Sequence, residues 1–195
     1  MQHLRGAVLA AALTIAVIVL TACTTLGPVS TGRVDPTAKG NGFDIEGRLS
    51  ARRGTAAVAS NFTWSHTPVH DRLDFASPLG QIYARVSGNK GGVNVEHADG
   101  RSDSYSDWST LSLALFGLAI PVDGLSTWIL GAPRPEQPFT IERDAAGRPS
   151  VLRQHGWEVV YSYAAADARE RPKRLVLRNK DTEPIEVRVV IDRWN

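Results

Sequence analysis

The sequence predicts a mainly antiparallel β protein, curved into a half-barrel around an apolar interior, with two short helices inserted midway along the chain. Three observations carry this. From Phe43 onward, apolar and polar residues alternate over most of the chain, the pattern of strands with one packed and one wet face. Gly-, Asn- and Asp-rich turn clusters recur at short intervals, as an antiparallel meander requires. Between residues 106 and 133 the apolar period changes to that of a helix. Two short helices cover only part of so large a sheet, so the sheet must curl around its own apolar face.

The elements follow in order. Phe43, Ile45, Gly47, Leu49 and Ala51 alternate with polar neighbours and form a first strand, ended at Arg53-Gly54. Val58, Ser60, Phe62 and Trp64 share one face of a second; Leu73 and Phe75 mark a third, and Ile82, Ala84 and Val86 a fourth. Gly88 to Gly92 reads as a hairpin loop, Val93 and Val95 continue the meander, and Ala98-Asp99-Gly100 turns it again. Trp108, Leu111, Leu115 and Leu118 have helical spacing, with Ser106 or Asp107 as N-cap and Pro121 as the stop. Asp123 is expected to cap a second helix through Leu125, Trp128 and Ile129, ended by Gly131 and Pro133. Phe139 and Ile141 lead to a turn at 145–148. Val151 to Tyr163 reads as one long strand presenting Trp157, Val159, Tyr161 and Tyr163. Leu175 and Leu177 then pair with Ile185, Val187, Val189 and Ile191, and Trp194 closes the chain.

The N-terminus has another character. After Arg5, residues 6–20 carry no charge and are almost wholly apolar, too short for an untilted membrane span of about 20 residues but the length of a signal-peptide core. Leu20-Thr21-Ala22-Cys23 follows and looks like a lipobox, where diacylglycerol is attached to the thiol and the chain is cut before the cysteine. Cys23 is the one cysteine in the chain, so it has no internal disulfide partner. Residues 23–42 are small, Gly- and Pro-containing and without apolar period, the composition of a flexible tether with an r.m.s. span of about 25 Å. The expected layout is therefore a signal peptide at 1–22, a lipid-anchored tether at 23–42 and one domain at 43–195, long enough to build its own core.

Few motifs point to chemistry. Formal net charge is +2, with no clustered basic stretch of the kind nucleic acid selects. No Gly-x-Ser-x-Gly elbow occurs. Ser87-Gly88-Asn89-Lys90 matches Ser-x-x-Lys, but in an expected hairpin loop and without a Lys-Thr-Gly. His66 and His70 have i,i+4 spacing, yet Pro68 between them breaks the helix that would aim both at one metal; they read as polar residues flanking a strand turn. No catalytic residue, cofactor or metal is expected. Phe62, Trp64, Phe75, Trp108, Phe116, Trp128, Trp157 and Tyr161 are candidates for the interior, either as plain core or as the lining of a cavity for an apolar ligand. Ser77-Pro78-Leu79-Gly80 makes a tight turn that projects Leu79 into water, as an ordinary exposed leucine or as one that dips into lipid.

These residues together resemble the LolB family of outer-membrane lipoprotein receptors. The resemblance lies in Phe43-x-Ile45-x-Gly47-Arg48, Phe62-x-Trp64, Ser77-Pro78-Leu79-Gly80 and Ile120-Pro121-Val122 through Leu125. It continues in Trp128-Ile129-Leu130-Gly131 with Pro133, Gly156-Trp157-x-Val159-x-Tyr161 and Ile191-Asp192-Arg193-Trp194. It runs in order from the lipobox to the C-terminus. It implies a LolA/LolB-like fold, an unclosed half-barrel with a helical lid over an apolar cavity. It also implies a monomer anchored in the outer membrane and facing the periplasm. Such a protein accepts acylated lipoproteins from the periplasmic carrier LolA and inserts them into the inner leaflet, with Leu79 as the membrane-insertion residue. The rival readings are another lipid-anchored binder of hydrophobic ligands, a lipid-anchored enzyme, and an assembly lipoprotein with a solid core.

If Cys23 is the lipidation site, Cys23→Ala releases the domain in soluble form or leaves an uncleaved precursor; mature acylated protein at normal levels in the outer membrane would contradict this. Thr24, not Asp, follows the cysteine. Under the sorting rule of many Gram-negative bacteria, the intact protein then fractionates with the outer membrane.

Overall fold

The computed structural model describes residues 30–32, 42–116, 122–134, 137–164, 171–179 and 184–195. Among these residues twelve strands form one antiparallel sheet in the order β1-β8-β9-β10-β11-β12-β2-β3-β4-β5-β6-β7. One meander comprises β2 (Phe43–Arg53), β3 (Ala56–Thr67), β4 (His70–Ala76), β5 (Ile82–Asn89), β6 (Gly92–His97) and β7 (Ser102–Tyr105). A second comprises β8 (Phe139–Arg143), β9 (Pro149–Gln154), β10 (Trp157–Ser162), β11 (Arg174–Asn179) and β12 (Ile185–Trp194). The helices α1 (Trp108–Phe116) and α2 (Val122–Trp128) lie between them in sequence. The sheet is open: β7 ends one edge, and β1 (Ser30–Gly32) pairs with β8 at the other.

The two meanders meet where β12, the last strand, pairs with β2. Gly47 faces Ile191 there, and a Cβ on Gly47 would lie 2.1 Å from the Val190 carbonyl oxygen. Only glycine admits so close a backbone approach. The ladder shifts register between Ile191 and Arg193, the mark of a bulge, which adds local twist. On the wet face Arg48 donates two 3.0 Å hydrogen bonds to the Asp192 carboxylate, and Arg193 pairs with Glu46 at 3.2 Å. Both pairs are exposed and add orientation more than stability.

Alternation places the core as expected. Ile45, Trp64, Val86, Val95, Leu152, Val159, Leu177, Val189 and Ile191 are all buried on the inner face. α1 packs on β6 and β7 and against α2, and Trp108, Leu111, Leu125, Trp128 and Ile129 complete the core from the helix side. Helices of nine and seven residues do not stand alone in water; burial against the sheet holds them. Asp107 is the cap: its Oδ1 accepts the Thr110 amide at 2.8 Å, and that bond foremost holds its carboxyl below the usual range. Gly131, at φ +76°, ends the second helical segment and donates to the Trp128 carbonyl at 2.9 Å.

Several elements differ from the sequence reading. Residues 151–163 are not one strand. His155 and Gly156, at φ +53° and +77°, make a two-residue hairpin turn between β9 and β10; two successive positive φ values are the type I′ signature, and His is among the residues that tolerate one. Ile82 does not share the buried face of Ala84 and Val86. The β4–β5 ladder slips beyond Phe75, pairing Ala76 with Ile82, and leaves Ile82 38% exposed. The loop at 88–92 is shorter than expected: β5 runs to Asn89 and β6 starts at Gly92. Asp123 lies within the first turn of α2, not outside it. Inside the expected tether, Ser30–Gly32 pair with Phe139–Ile141, because an edge strand offers unpaired backbone groups to any extended segment. Leu118 and Pro121 lie outside the described residues.

Gly47→Ala is expected to cost about 3 kcal/mol, the upper end of the range for overpacking, since the obstructing atom is backbone. Urea unfolding measures it, and parental stability in the variant contradicts the close-approach account.

Candidate functional site

The interior candidates converge. Phe62 and Trp64 from β3, Phe75 from β4, Trp157 and Tyr161 from β10, Trp108 from α1 and Trp128 beyond it all belong to one buried apolar cluster. Period two explains the sheet residues and helical spacing the other two. Trp108 fits because Gly88 on β5 has no side chain: a Cβ there would come within 3.1 Å of the indole. Trp64 is fixed at its polar edge, its indole N–H donating to Asp71 Oδ1 at 2.7 Å, and its ring meets Phe43 edge-on at 5.0 Å. The side chain of Phe116 is outside the described residues. The inner wall is thus continuous and apolar, and the two helices cover it.

The cover is held by a residue the sequence reading passed over. Gln154, at the end of β9, is buried with Leu152 on the inner face. Its Oε1 accepts the Trp128 indole N–H at 3.0 Å and the Arg134 amide at 2.8 Å. Its Nε2 donates to the carbonyls of Arg134 and Gln137 at 3.1 and 3.2 Å. One amide thereby satisfies the indole at the end of α2 and three backbone groups of the segment that follows, and it holds Trp128 against Trp157, ring centroids 6.4 Å apart. Its signal was parity: Gln154 is two residues from Leu152, at an inward position where a polar residue is costly unless fully bonded. An open cleft of about 440 Å³, lined in part by Phe139, Gln154, His155, Trp157 and Arg178, reaches this junction from outside.

The Ser77–Gln81 loop carries Leu79 clear of the body at 90% exposure. Gly80 donates to the Ser77 carbonyl at 2.8 Å, and Ser77 donates to the Gln81 carbonyl at 2.9 Å. Gly80 takes φ +84°, so the loop is a type I turn closed by a left-handed glycine. Leu79 is presented on a defined turn, with the exposed Ile82 three residues on. A groove of about 420 Å³ on the outer face, lined by Arg48, Asn61, Asp74, Gly80, Ile82 and Asp192 among others, lies at the base of this loop.

The remaining candidates take ordinary places. His66 and His70 flank the β3–β4 turn, and His66 Nδ1 lies 2.7 Å from Asp71 Oδ1. Ser87 and Asn89 are strand residues of β5, not loop residues. Among the described residues no group of three or more His, Cys, Asp and Glu is placed to hold a metal, and no helix is long and apolar enough to cross a membrane. Cys23 lies outside the described residues.

An open antiparallel half-barrel with two inserted helices over an apolar face defines the class, and solved structures share it. The chain superposes on a LolA superfamily protein from Nitrosomonas europaea with a TM-score of 0.53 at 7% identity, over 80% of this chain and 86% of that one. A putative outer membrane lipoprotein-sorting protein domain from Vibrio parahaemolyticus gives 0.54 at 8% identity, over 81% and 86%. At such identities the likeness is one of fold. The sequence narrows it. The family described as Outer membrane lipoprotein LolB matches residues 41–194. The outer-membrane lipoprotein LolB of Alkalilimnicola ehrlichii is 34% identical over 98% of both chains, and that of Azoarcus sp. is 33% identical over 78% of this chain and 77% of its own. The chain belongs to the LolB family.

Gln154→Leu is expected to leave the Trp128 indole and the Arg134 amide unpaired and to cost about 3 kcal/mol, unpaired buried groups costing about 1–3 kcal/mol each. Hydrogen exchange checks where: amides of α2 should exchange faster while those of β2 and β12 keep their protection. Uniform loss across the sheet contradicts a local latch.

Proposed function

We propose that this chain is a lipid-anchored acceptor at the outer membrane, facing the periplasm. It takes acylated lipoproteins from the periplasmic carrier LolA and inserts them into the inner leaflet without catalysis. The observation that carries the reading is the continuous apolar inner face covered, among the described residues, by two short helices, beside a leucine held out on a hydrogen-bonded turn. Exposing an acyl methylene to water costs ~0.8 kcal/mol, so three chains of ~16 carbons cost on the order of 40 kcal/mol. A cargo of that kind moves only from one apolar enclosure to another. No phosphate-binding loop occurs in the sequence, so transfer runs down a gradient of affinity. The apolar residues of the inner face are packed against those of the helices, so in this reading loading lifts α1 and α2 from the sheet.

In this reading residues 1–22 are removed, Cys23 carries the lipid, and 23–42 tether a monomeric domain. Docking of Ser30–Gly32 on β8 leaves seven residues from Cys23 to Ser30, a reach of at most about 25 Å. The domain then works within one such length of the bilayer, where anchoring raises its effective concentration. Leu79 enters the acyl region as cargo is released.

Leu79→Glu tests the insertion step. The fold should survive, since a side chain in water has little packing to lose, and so should acceptance of cargo from LolA. Transfer of loaded cargo to liposomes should fall at least tenfold, because a carboxylate opposes burial among acyl chains, while a large apolar replacement preserves it. Normal transfer by a folded, loaded Leu79→Glu protein refutes a membrane role for the loop.

A further inference from the structure

The Tyr161 hydroxyl is buried in the inner wall and has no hydrogen-bond partner among the described residues. Its surroundings make this unusual. The other buried polar groups facing the interior are bonded: Gln154 by four contacts, Ser60 to the carbonyls of Asn61 and Ala76, and the Trp128 indole to Gln154. An unpaired buried hydroxyl costs free energy and calls for a partner that arrives from elsewhere. Burial pushes the phenol far above its usual range, with Tyr163 adding to the shift. The group is therefore a neutral donor at every physiological pH.

Its place in the wall says what that partner is. Tyr161 is the penultimate residue of β10 and shares its inner face with Val159 and Trp157, a wall of about 13 Å at strand rise. Just beyond the strand end the surface turns polar. The Tyr163 hydroxyl donates to the Pro149 carbonyl at 2.8 Å, and the Arg148 guanidinium lies 4.4 Å over the Tyr163 ring. The free donor thus sits where an apolar track meets a polar rim. An acyl chain has the matching layout: a hydrocarbon run ending in an ester or amide carbonyl, which accepts and cannot donate.

We propose that the Tyr161 hydroxyl donates a hydrogen bond to the ester or amide carbonyl of a fatty-acyl chain held in the half-barrel, and so distinguishes acyl from alkyl lipid. This rests on the acyl-binding reading above and adds a polar specificity residue to it. Loading supplies the bond that the empty protein lacks, so the donor favours the filled state and carries no stability in the closed one.

The test uses the mature lipidated protein, wild type and Tyr161→Phe, in vesicles of ether-linked phosphatidylcholine, which have no carbonyls of their own. Binding of pyrene-labelled palmitoyl ester and of the matching hexadecyl ether is read by tryptophan-to-pyrene energy transfer. Wild type should prefer the ester about tenfold, equivalent to about 1.4 kcal/mol. Tyr161→Phe should bind both probes with the ether's affinity. Equal affinity of wild type for both probes, or an ester preference that survives in the variant, overturns the role of Tyr161 and leaves acyl binding standing. Binding of neither probe overturns acyl binding and this proposal with it. Thermal unfolding gives a second readout: Tyr161→Phe should melt at or above the wild-type temperature, and a fall means the hydroxyl is already bonded.

Discussion

The architecture depends on the β2–β12 pairing. The two meanders fold from local hairpins, but each alone leaves an unpaired edge and half a core. Joining them brings together segments about 145 residues apart in the chain, against a loop-closure cost that grows only slowly with length. What makes the junction specific is a missing side chain. The Cβ that Gly47 lacks would occupy the space of the Val190 carbonyl, so the strands approach and twist at that point as no other residue allows. Arg48 with Asp192, Glu46 with Arg193, and Trp194 beside Phe43 at 6.0 Å then fix the register around it. The first and last stretches on which the family resemblance was read, Phe43 to Arg48 and Ile191 to Trp194, are the two sides of one seam.

The sheet that results has an inner face too large for its cover. α1 and α2 are short, and their hold is concentrated in Trp108 against Gly88 and Trp128 against Gln154 and Trp157. Such a cover can open without unfolding the sheet, because the ladders of β2, β3, β11 and β12 involve neither helix.

Much of this was legible in the sequence. Alternation identified the inward residues of β2, β3 and β10, helical spacing found Trp108 and Leu111, and Pro-Leu-Gly between two strands placed Leu79 at a tip. The parts not legible are those decided by tertiary geometry. The His155-Gly156 turn is marked only by the change of inward parity across it, from Leu152 and Gln154 before to Trp157, Val159 and Tyr161 after, a break that the apolar and aromatic richness of the stretch masks. Ile82 keeps the right parity, and only the slip in the β4–β5 ladder exposes it. Gln154 could have been found by asking why an inward position carries an amide, but three of its four partners, on Arg134 and Gln137, lie on a segment with no periodic signal. The Ser30–Gly32 pairing follows from an exposed β8 edge, which local composition does not encode.

The polar atoms inside the barrel divide the labour of opening and filling. Gln154 is fully bonded when the helices are down, so every bond it makes counts against opening. Tyr161 is unbonded in the same state, so it opposes nothing. Lifting the segment after α2 gives up the Gln154 contacts and exposes apolar wall, both unfavourable in water. An acyl chain entering at that moment replaces water on the wall and offers a carbonyl to Tyr161. The donor is thus placed where its stabilisation falls wholly on the loaded state. A bonded tyrosine at the same position would spend that stabilisation on the empty one and narrow the difference in affinity on which downhill transfer depends.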